Sequence, residues 1–335
     1  MMPLIIAGLG ISALMALSMG ANDLANSIAP IVGSKVLNFQ PTLILFFTSS
    51  FVGAVLQGFM VIKTLGKGIV SDVELLGSIS ASLAAFIWIM LASIKGIPIS
   101  TTHSITGSVI GIGMAYTFLE GRAVSINLDI VSKIVLSWIT SPLSAMAIAI
   151  PLYFLTEKML GRYNNKHITP LALAMAILAA YSFGTNDVGN AIGVYVSITS
   201  KTLSIPDSTT MRLLAIYSTI FIGLGGALLG RRVVETMAYR ITRLDITTSV
   251  AANADAIAVL LYTTIPYILF GYGMPVSTTY AAGAIIGAGI AKYRSLKALN
   301  LKLILFIMFA WVITLPVTSS LAIAIYSLLK HLLLG

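Results

Sequence analysis

Continuous apolar runs recur along the chain at Ile79–Ile94, Ala145–Leu155, Met211–Gly230, Ala256–Phe270 and Leu303–Leu315, each passing into small or weakly polar flanks. None alternates with period two, so the runs read as helices rather than strands. A membrane span needs roughly 20 mostly apolar residues. With no water in the bilayer, only helices or a closed barrel satisfy their own backbone there. The pattern predicts five elements per half. In the first half they fall at Leu4–Val32 (interrupted), Thr42–Ile62, Leu76–Ile94, Pro98–Phe118 (irregular at its start) and Ile130–Leu155. In the second they fall at Leu171–Ser197, Met211–Gly230, Ile246–Leu269, Pro275–Ile290 and Leu301–Leu329. The first and fifth are long enough to hold a break, which allows about 10–12 transmembrane segments.

Composition narrows the class. Of 335 residues, 58% are hydrophobic and 9% charged, with a mean hydropathy of +0.98, against about 25% charged in a soluble chain. Such a surface needs lipid around it. The absence of cysteine removes disulfide and thiolate-metal chemistry. Met1–Gly20 lacks a basic n-region and is not read as a cleaved signal peptide. The formal net charge of +9 does not call for nucleic acid, because the basic residues sit in short loops between spans, where they set orientation.

The chain repeats itself. Ser18-Met-Gly-Ala-Asn22-Asp23-Leu-Ala-Asn26 returns as Ser182-Phe-Gly-Thr-Asn186-Asp187-Val-Gly-Asn190, and Gly96-Ile-Pro98-Ile-Ser100-Thr101-Thr102-His103 returns as Gly273-Met-Pro275-Val-Ser277-Thr278-Thr279-Tyr280. Trp138-Ile-Thr-Ser-Pro142 is echoed by Trp311-Val-Ile-Thr-Leu-Pro316. Order and spacing agree, so the whole half is duplicated. Residues 1–156 are the first transmembrane repeat, 157–169 a cytoplasmic linker rich in charge and Asn, and 170–335 the second repeat. An odd number of spans per half inverts one repeat relative to the other. The Lys and Arg residues divide 13 to 7 between the two sides; the richer side is expected to be cytoplasmic and both termini outside. The fold class is therefore an all-α polytopic membrane protein with broken helices at an inverted-repeat interface.

Two ionisable residues stand inside spans. Asp23 and Asp187 occupy equivalent positions, each with Asn before it (Asn22, Asn186) and Asn three residues after it (Asn26, Asn190). A buried carboxylate is expensive in lipid and marks function by default. With Asn and backbone carbonyls it forms a hard-oxygen set suited to Na⁺. Locking two helices through a satisfied Asp is the plainer reading, but it leaves the duplication unexplained. The Ser100-Thr101-Thr102 and Ser277-Thr278-Thr279 clusters follow Pro98 and Pro275. Pro in the first turn with Ser or Thr at the cap marks a helix N-terminus, whose N–H groups and partial positive charge bind anions. The hydroxyls add donors without a fixed charge, and Asn22 and Asn186 can donate as well. Ordinary capping near the surface is the alternative. Discontinuous helices at an inverted-repeat interface are where transporters hold substrate.

On these residues the chain resembles the inorganic phosphate transporters, the sodium- or proton-coupled phosphate permeases. The G-A-N-D-x-A-N motif stands at Gly20–Asn26 and, altered, at Gly184–Asn190; the P-x-S-T-T-H motif stands at Pro98–His103 and Pro275–Tyr280; Gly230-Arg-Arg-Val-Val-Glu-Thr236 extends the likeness. The resemblance implies electrogenic symport of inorganic phosphate with sodium as co-transported substrate, no cofactor and no enzymatic activity, an inverted-repeat fold in the plasma membrane with outward termini, and a homodimer. Thr185 and Gly189 depart from the first copy's Ala residues, Tyr280 replaces His103, and Lys63 stands where eukaryotic relatives favour Glu.

Rival readings keep the membrane and change the chemistry. A proton-coupled sulfate or phosphate permease would use the same donors. An intramembrane aspartyl protease needs two close carboxylates sharing a proton, and the chain lacks that class's G-x-G-D pattern; a channel is a third option. Asp255 reads as water-facing or capping, Glu235 as a loop ion pair with Arg231 or Arg232, and His103 as hydrogen-bonded and structural. Gly107, Gly111, Gly283 and Gly287 fit small-x-x-x-small helix packing.

Overall fold

The computed structural model describes residues 2–60, 70, 73–122, 124, 128–160, 167–203, 206–271, 277 and 281–334. Helices carry the fold. In the first half they are α1 (Met2–Gly33), α2 (Phe39–Gln57), α3 (Leu75–Ile94), α4 (Thr101–Glu120) and α5 (Leu128–Leu160). The second half holds α6 (Ile168–Asn186), α7 (Val188–Leu203), α8 (Ser208–Leu229), α9 (Arg231–Tyr239), α10 (Ile246–Ala252), α11 (Asp255–Phe270), α12 (Ala281–Tyr293) and α13 (Leu301–Leu334). Seven helical segments among the described residues are long and apolar enough to cross a membrane. The other expected elements are α4, whose first turn is rich in hydroxyls, and the shorter apolar α11 and α12. Large apolar side chains such as Phe118, Leu228 and Ile268 point outward, as lipid contact requires.

Several expected boundaries move. The first element is one unbroken helix of 32 residues rather than an interrupted one. A glycine in a helix costs about 1 kcal/mol against alanine, which the close packing of Gly20 on the Ile222 backbone outweighs. Its counterpart does break, at Asp187 between α6 and α7, and the expected span Ile246–Leu269 breaks at Asn253–Ala254 between α10 and α11. The second-half motif carries Gly189 and Gly193, so helix continuity is weaker there. Helices α5 and α6 also run to Leu160 and from Ile168, into both ends of the expected linker.

The halves interlock by exchanging partners. α1 packs on α8 while α2 packs on α6, and α4 packs on α13 while α5 packs on α12. Glycines make each approach possible. A Cβ at Gly20 would strike the Ile222 carbonyl and one at Gly225 the Leu17 carbonyl; at the repeat-equivalent places, Gly184 meets the Ser50 carbonyl and Gly53 the Tyr181 carbonyl. The small-residue ladder follows the same rule, with Gly107 and Gly111 against Leu315 and Ser319, and Gly283 and Gly287 against Pro142 and Met146. Backbone-to-backbone contact of this kind replaces the hydrophobic drive that lipid removes. The two first elements run antiparallel: Ser12 Oγ donates to the Ala191 carbonyl at 2.8 Å and Ser27 Oγ to the Ala179 carbonyl at 3.4 Å, so numbering rises on one as it falls on the other.

Candidate functional site

The motif residues come together where α1, the start of α4 and Ser277 meet. After α3 ends at Ile94, the chain turns at Gly96, whose φ of +69° is left-handed and favours glycine. A Cβ there would also press on the Arg232 backbone. The chain then dives inward, and Pro98, Ile99 and Ser100 are all buried. Ser100 is the N-cap of α4, its Oγ accepting from the His103 N–H at 3.2 Å. Pro98 therefore precedes the helix instead of sitting in its first turn. The capping role expected of the Ser-Thr-Thr cluster holds for Ser100, at a helix start deep in the protein rather than at its surface.

Ser100 and Ser277 share a hydrogen bond of 2.7 Å between their hydroxyls, both residues being buried. This is a direct contact between the two copies of the cluster. Thr101 Oγ1 donates to the Asp23 carboxylate. That bond ties the α4 helix start to the acidic residue of α1. The other carboxylate oxygen of Asp23, Oδ1, is buried without a partner. Thr102 is buried one residue further on. Thr278 and Thr279 lie outside the described residues, as do Pro275, Tyr280 and Lys63.

Asn22 is used differently from expectation. Its amide donates to Ser93 Oγ and to the Ile97 carbonyl, each at 3.0 Å, and its Oδ1 accepts from the Ile99 N–H at 3.0 Å. Both amide hydrogens are taken, so in this conformation Asn22 braces the α3–α4 connection and has no donor left for an anion. Asn26 is buried one turn beyond Asp23. In the other half, Asn186 Nδ2 donates to Asp187 Oδ2 at 3.2 Å, and Asp187 and Asn190 are buried on either side of the break. Asp187 accepts from its own Asn neighbour, and Asp23 accepts from Thr101 of another helix.

Sequence reasoning missed Ser93 and Asn253. Ser93 lies in an ordinary apolar run, and its pairing with Asn22 has no local signature. Asn253 is fully buried in the α10–α11 break with its Oδ1 unpartnered. Nearby, Ser182 Oγ of α6 donates to the Ala256 carbonyl at 3.2 Å, so this break faces the helix that carries the second motif. A polar residue interrupting an apolar run, the signal used for Asp187, would have found it. Glu235 pairs with Arg231 at 3.0 Å, i to i+4, at the surface; the ion pair expected of it forms, but on helix α9 rather than in a loop. Arg232 instead caps α3 by donating to the Ile94 carbonyl at 2.6 Å.

The comparisons agree with this geometry. The profile described as "Phosphate transporter family" matches residues 19–174 and again 162–322. A protein of Pyrococcus horikoshii named as a phosphate permease is 29% identical, over 96% of each chain. One of Methanocaldococcus jannaschii, named likewise, is 31% identical over 88% of each. A solved structure titled "The sodium-dependent phosphate transporter" superposes with a TM-score of 0.81 at 25% identity, covering 99% of this chain and 100% of that one. The buried start of α4, the interior aspartates and these matches converge: this chain is a multi-pass membrane protein that belongs to the phosphate transporter family.

Proposed function

We propose that the protein is a sodium-coupled symporter of inorganic phosphate working by alternating access across the plasma membrane, with both termini outside the cytoplasm and residues 1–156 and 170–335 as its inverted repeats. Phosphate sits at the junction of the two Ser-Thr-Thr clusters. Ser100, Thr101, Thr102, Ser277, Thr278 and Thr279 offer hydroxyl and helix-start donors, and Asn186 a further one. Sodium ions bind at Asp23 and Asn26 and at Asp187 and Asn190. The observation that carries the reading is the Ser100–Ser277 contact beside the Thr101–Asp23 bond, which puts anion donors and a carboxylate in one buried place.

The electrostatics require coupling. Phosphate brings one or two negative charges to a site that already holds carboxylates, and like charges in a low-dielectric interior repel strongly. A cation at Asp23 relieves that repulsion, so each ligand raises the other's affinity. Net positive charge moving inward gains about 2.3 kcal/mol per charge per 100 mV of membrane potential. The partner-exchanged pairs offer the seams along which one bundle can rock against the other. Homodimerisation follows from the family resemblance and belongs to the same proposal.

Uptake of labelled phosphate into proteoliposomes tests this, with Na⁺, Li⁺ or protons as the only gradient. Uptake driven by Na⁺ and raised by an inside-negative potential is expected. Undiminished uptake in sodium-free buffer under a pH gradient would establish the proton-coupled alternative instead.

A further inference from the structure

We propose that His103, stacked on Trp138, reads the protonated oxygen of the bound anion and so separates hydrogen phosphate from sulfate, while Trp138 holds an ionised oxygen of either anion, an inference that rests on the phosphate reading above.

His103 lies in the first turn of α4, three residues after the cap Ser100, and is 6% exposed. Its ring stacks on that of Trp138 in α5, with centroids 3.6 Å apart and planes 20° from parallel. His103 Nδ1 and Trp138 Nε1 are both buried and have no hydrogen-bond partner. Indole nitrogen is a donor only, whereas a neutral imidazole nitrogen without a hydrogen is an acceptor. Buried groups of these kinds are nearly always paired, and leaving one unpaired costs about 1–3 kcal/mol. Two such atoms on stacked rings, one turn from the Ser100–Ser277 contact, mark a place that a polar ligand enters and leaves.

The third tryptophan gives the contrast. Trp88 Nε1 donates to Thr314 Oγ1 at 2.9 Å, so the chain supplies a protein partner to a half-buried indole elsewhere. Trp311, the repeat counterpart of Trp138, is again unpartnered. Gly107 and Gly111 of α4 meet Leu315 and Ser319 of α13, so the two helices run in parallel register and Trp311 stands level with His103. Both unpaired indoles therefore border the first turn of α4.

The chemistry follows from the anion. Phosphate near neutral pH keeps one or two P–OH groups, while sulfate keeps none. A site of donors alone binds both. An uncharged acceptor rewards P–OH and faces the lone pairs of sulfate unfavourably, and discrimination of this kind is strong because the wrong ligand leaves a buried polar group unpaired. His103 Nδ1 is the acceptor and Trp138 Nε1 donates to an ionised oxygen.

Competition between labelled phosphate and excess sulfate in proteoliposomes tests the pair. For His103→Phe, which keeps the ring and loses the nitrogen, the phosphate-to-sulfate preference should fall about tenfold or more, the scale of one lost hydrogen bond. His103→Asn, which keeps a polar atom at the Nδ1 position, should restore most of it. Trp138→Phe should weaken both anions and leave their ratio alone. The unaltered protein labelled at its indole nitrogens offers a readout independent of variant folding: the Trp138 N–H resonance should shift with phosphate and the Trp88 resonance should not. An unchanged ratio in His103→Phe, or a Trp138 resonance indifferent to saturating phosphate, overturns the inference while phosphate transport stands. Absence of phosphate uptake by the unaltered protein would overturn the function proposed above, and this inference with it.

Discussion

The two copies of the Asn-Asp motif share a sequence and differ in backbone. In the first half, Asp23 sits in an unbroken helix, is held by Thr101 from α4, and keeps one carboxylate oxygen unpartnered. In the second, Asp187 marks a one-residue irregularity between α6 and α7 and accepts from its neighbour Asn186. Thr101 of another helix bonds one carboxylate, and the preceding Asn186 bonds the other. The irregularity at Asp187 is slight: its backbone keeps right-handed helical angles, its N–H bonds the Phe183 carbonyl at 2.8 Å, and its own carbonyl accepts from the Asn190 N–H at 2.9 Å. The two copies of the motif thus hold their carboxylates in unequal settings, which the proposed sodium sites would inherit.

Variants of the two aspartates probe that inequality with the largest expected effect. Asp23→Asn and Asp187→Asn should each reduce phosphate uptake close to a hundredfold, about 3 kcal/mol, the scale of removing one partner from a buried charge pair. Their sodium dependence should separate them, Asp23→Asn changing the Na⁺ concentration for half-maximal uptake differently from Asp187→Asn. Equal curves would erase the distinction.

Thr101→Val comes next. It removes the bond to Asp23 at nearly constant volume and should destabilise the site by about 1–3 kcal/mol, read as a raised KM for both ions. Thr101→Ser should recover most of the loss. Packing is expected to be symmetric where the sites are not. Gly20→Ala and Gly184→Ala each drive a methyl into a facing carbonyl, and overpacking costs about 1–3 kcal/mol, seen as a lowered thermal midpoint in detergent. Gly10 has open space around it, so Gly10→Ala should instead gain about 0.5–1 kcal/mol.

The smallest effect concerns the loop ends. Asp245 caps α10 through the Thr248 N–H at 2.9 Å and pairs with Lys292 of α12 at 2.8 Å. Burial raises its pKa, but the Lys292 ammonium and the Thr248 bonds outweigh that and hold it below the ordinary 3.8. A depressed acid contributes stability above its unfolded pKa and loses it as pH falls through the folded value. The thermal midpoint of the unaltered protein should therefore drop relative to Asp245→Asn below about pH 4, and the two should differ steadily above it.

Much of this was legible in the residues, and the exceptions share a cause. The apolar runs and duplicated motifs placed the helical elements, because spans and repeats are local patterns, whereas the pairing of helices across the halves has no local signature. Asp23 and Ser100 were found by their cost and their capping chemistry. The continuity of α1 was not, since Gly20 signals a break locally and a close approach to Ile222 only in three dimensions. Asn22 looked like an anion donor until Ser93, Ile97 and Ile99 claimed it, partners more than 70 residues away along the chain.

A structure determined with phosphate and sodium present is the most direct measurement. The account predicts the Ser100–Ser277 hydrogen bond opened around a phosphate, with sodium on Asp23 and on Asp187. Phosphate bound elsewhere while those two hydroxyls still hold each other would contradict it.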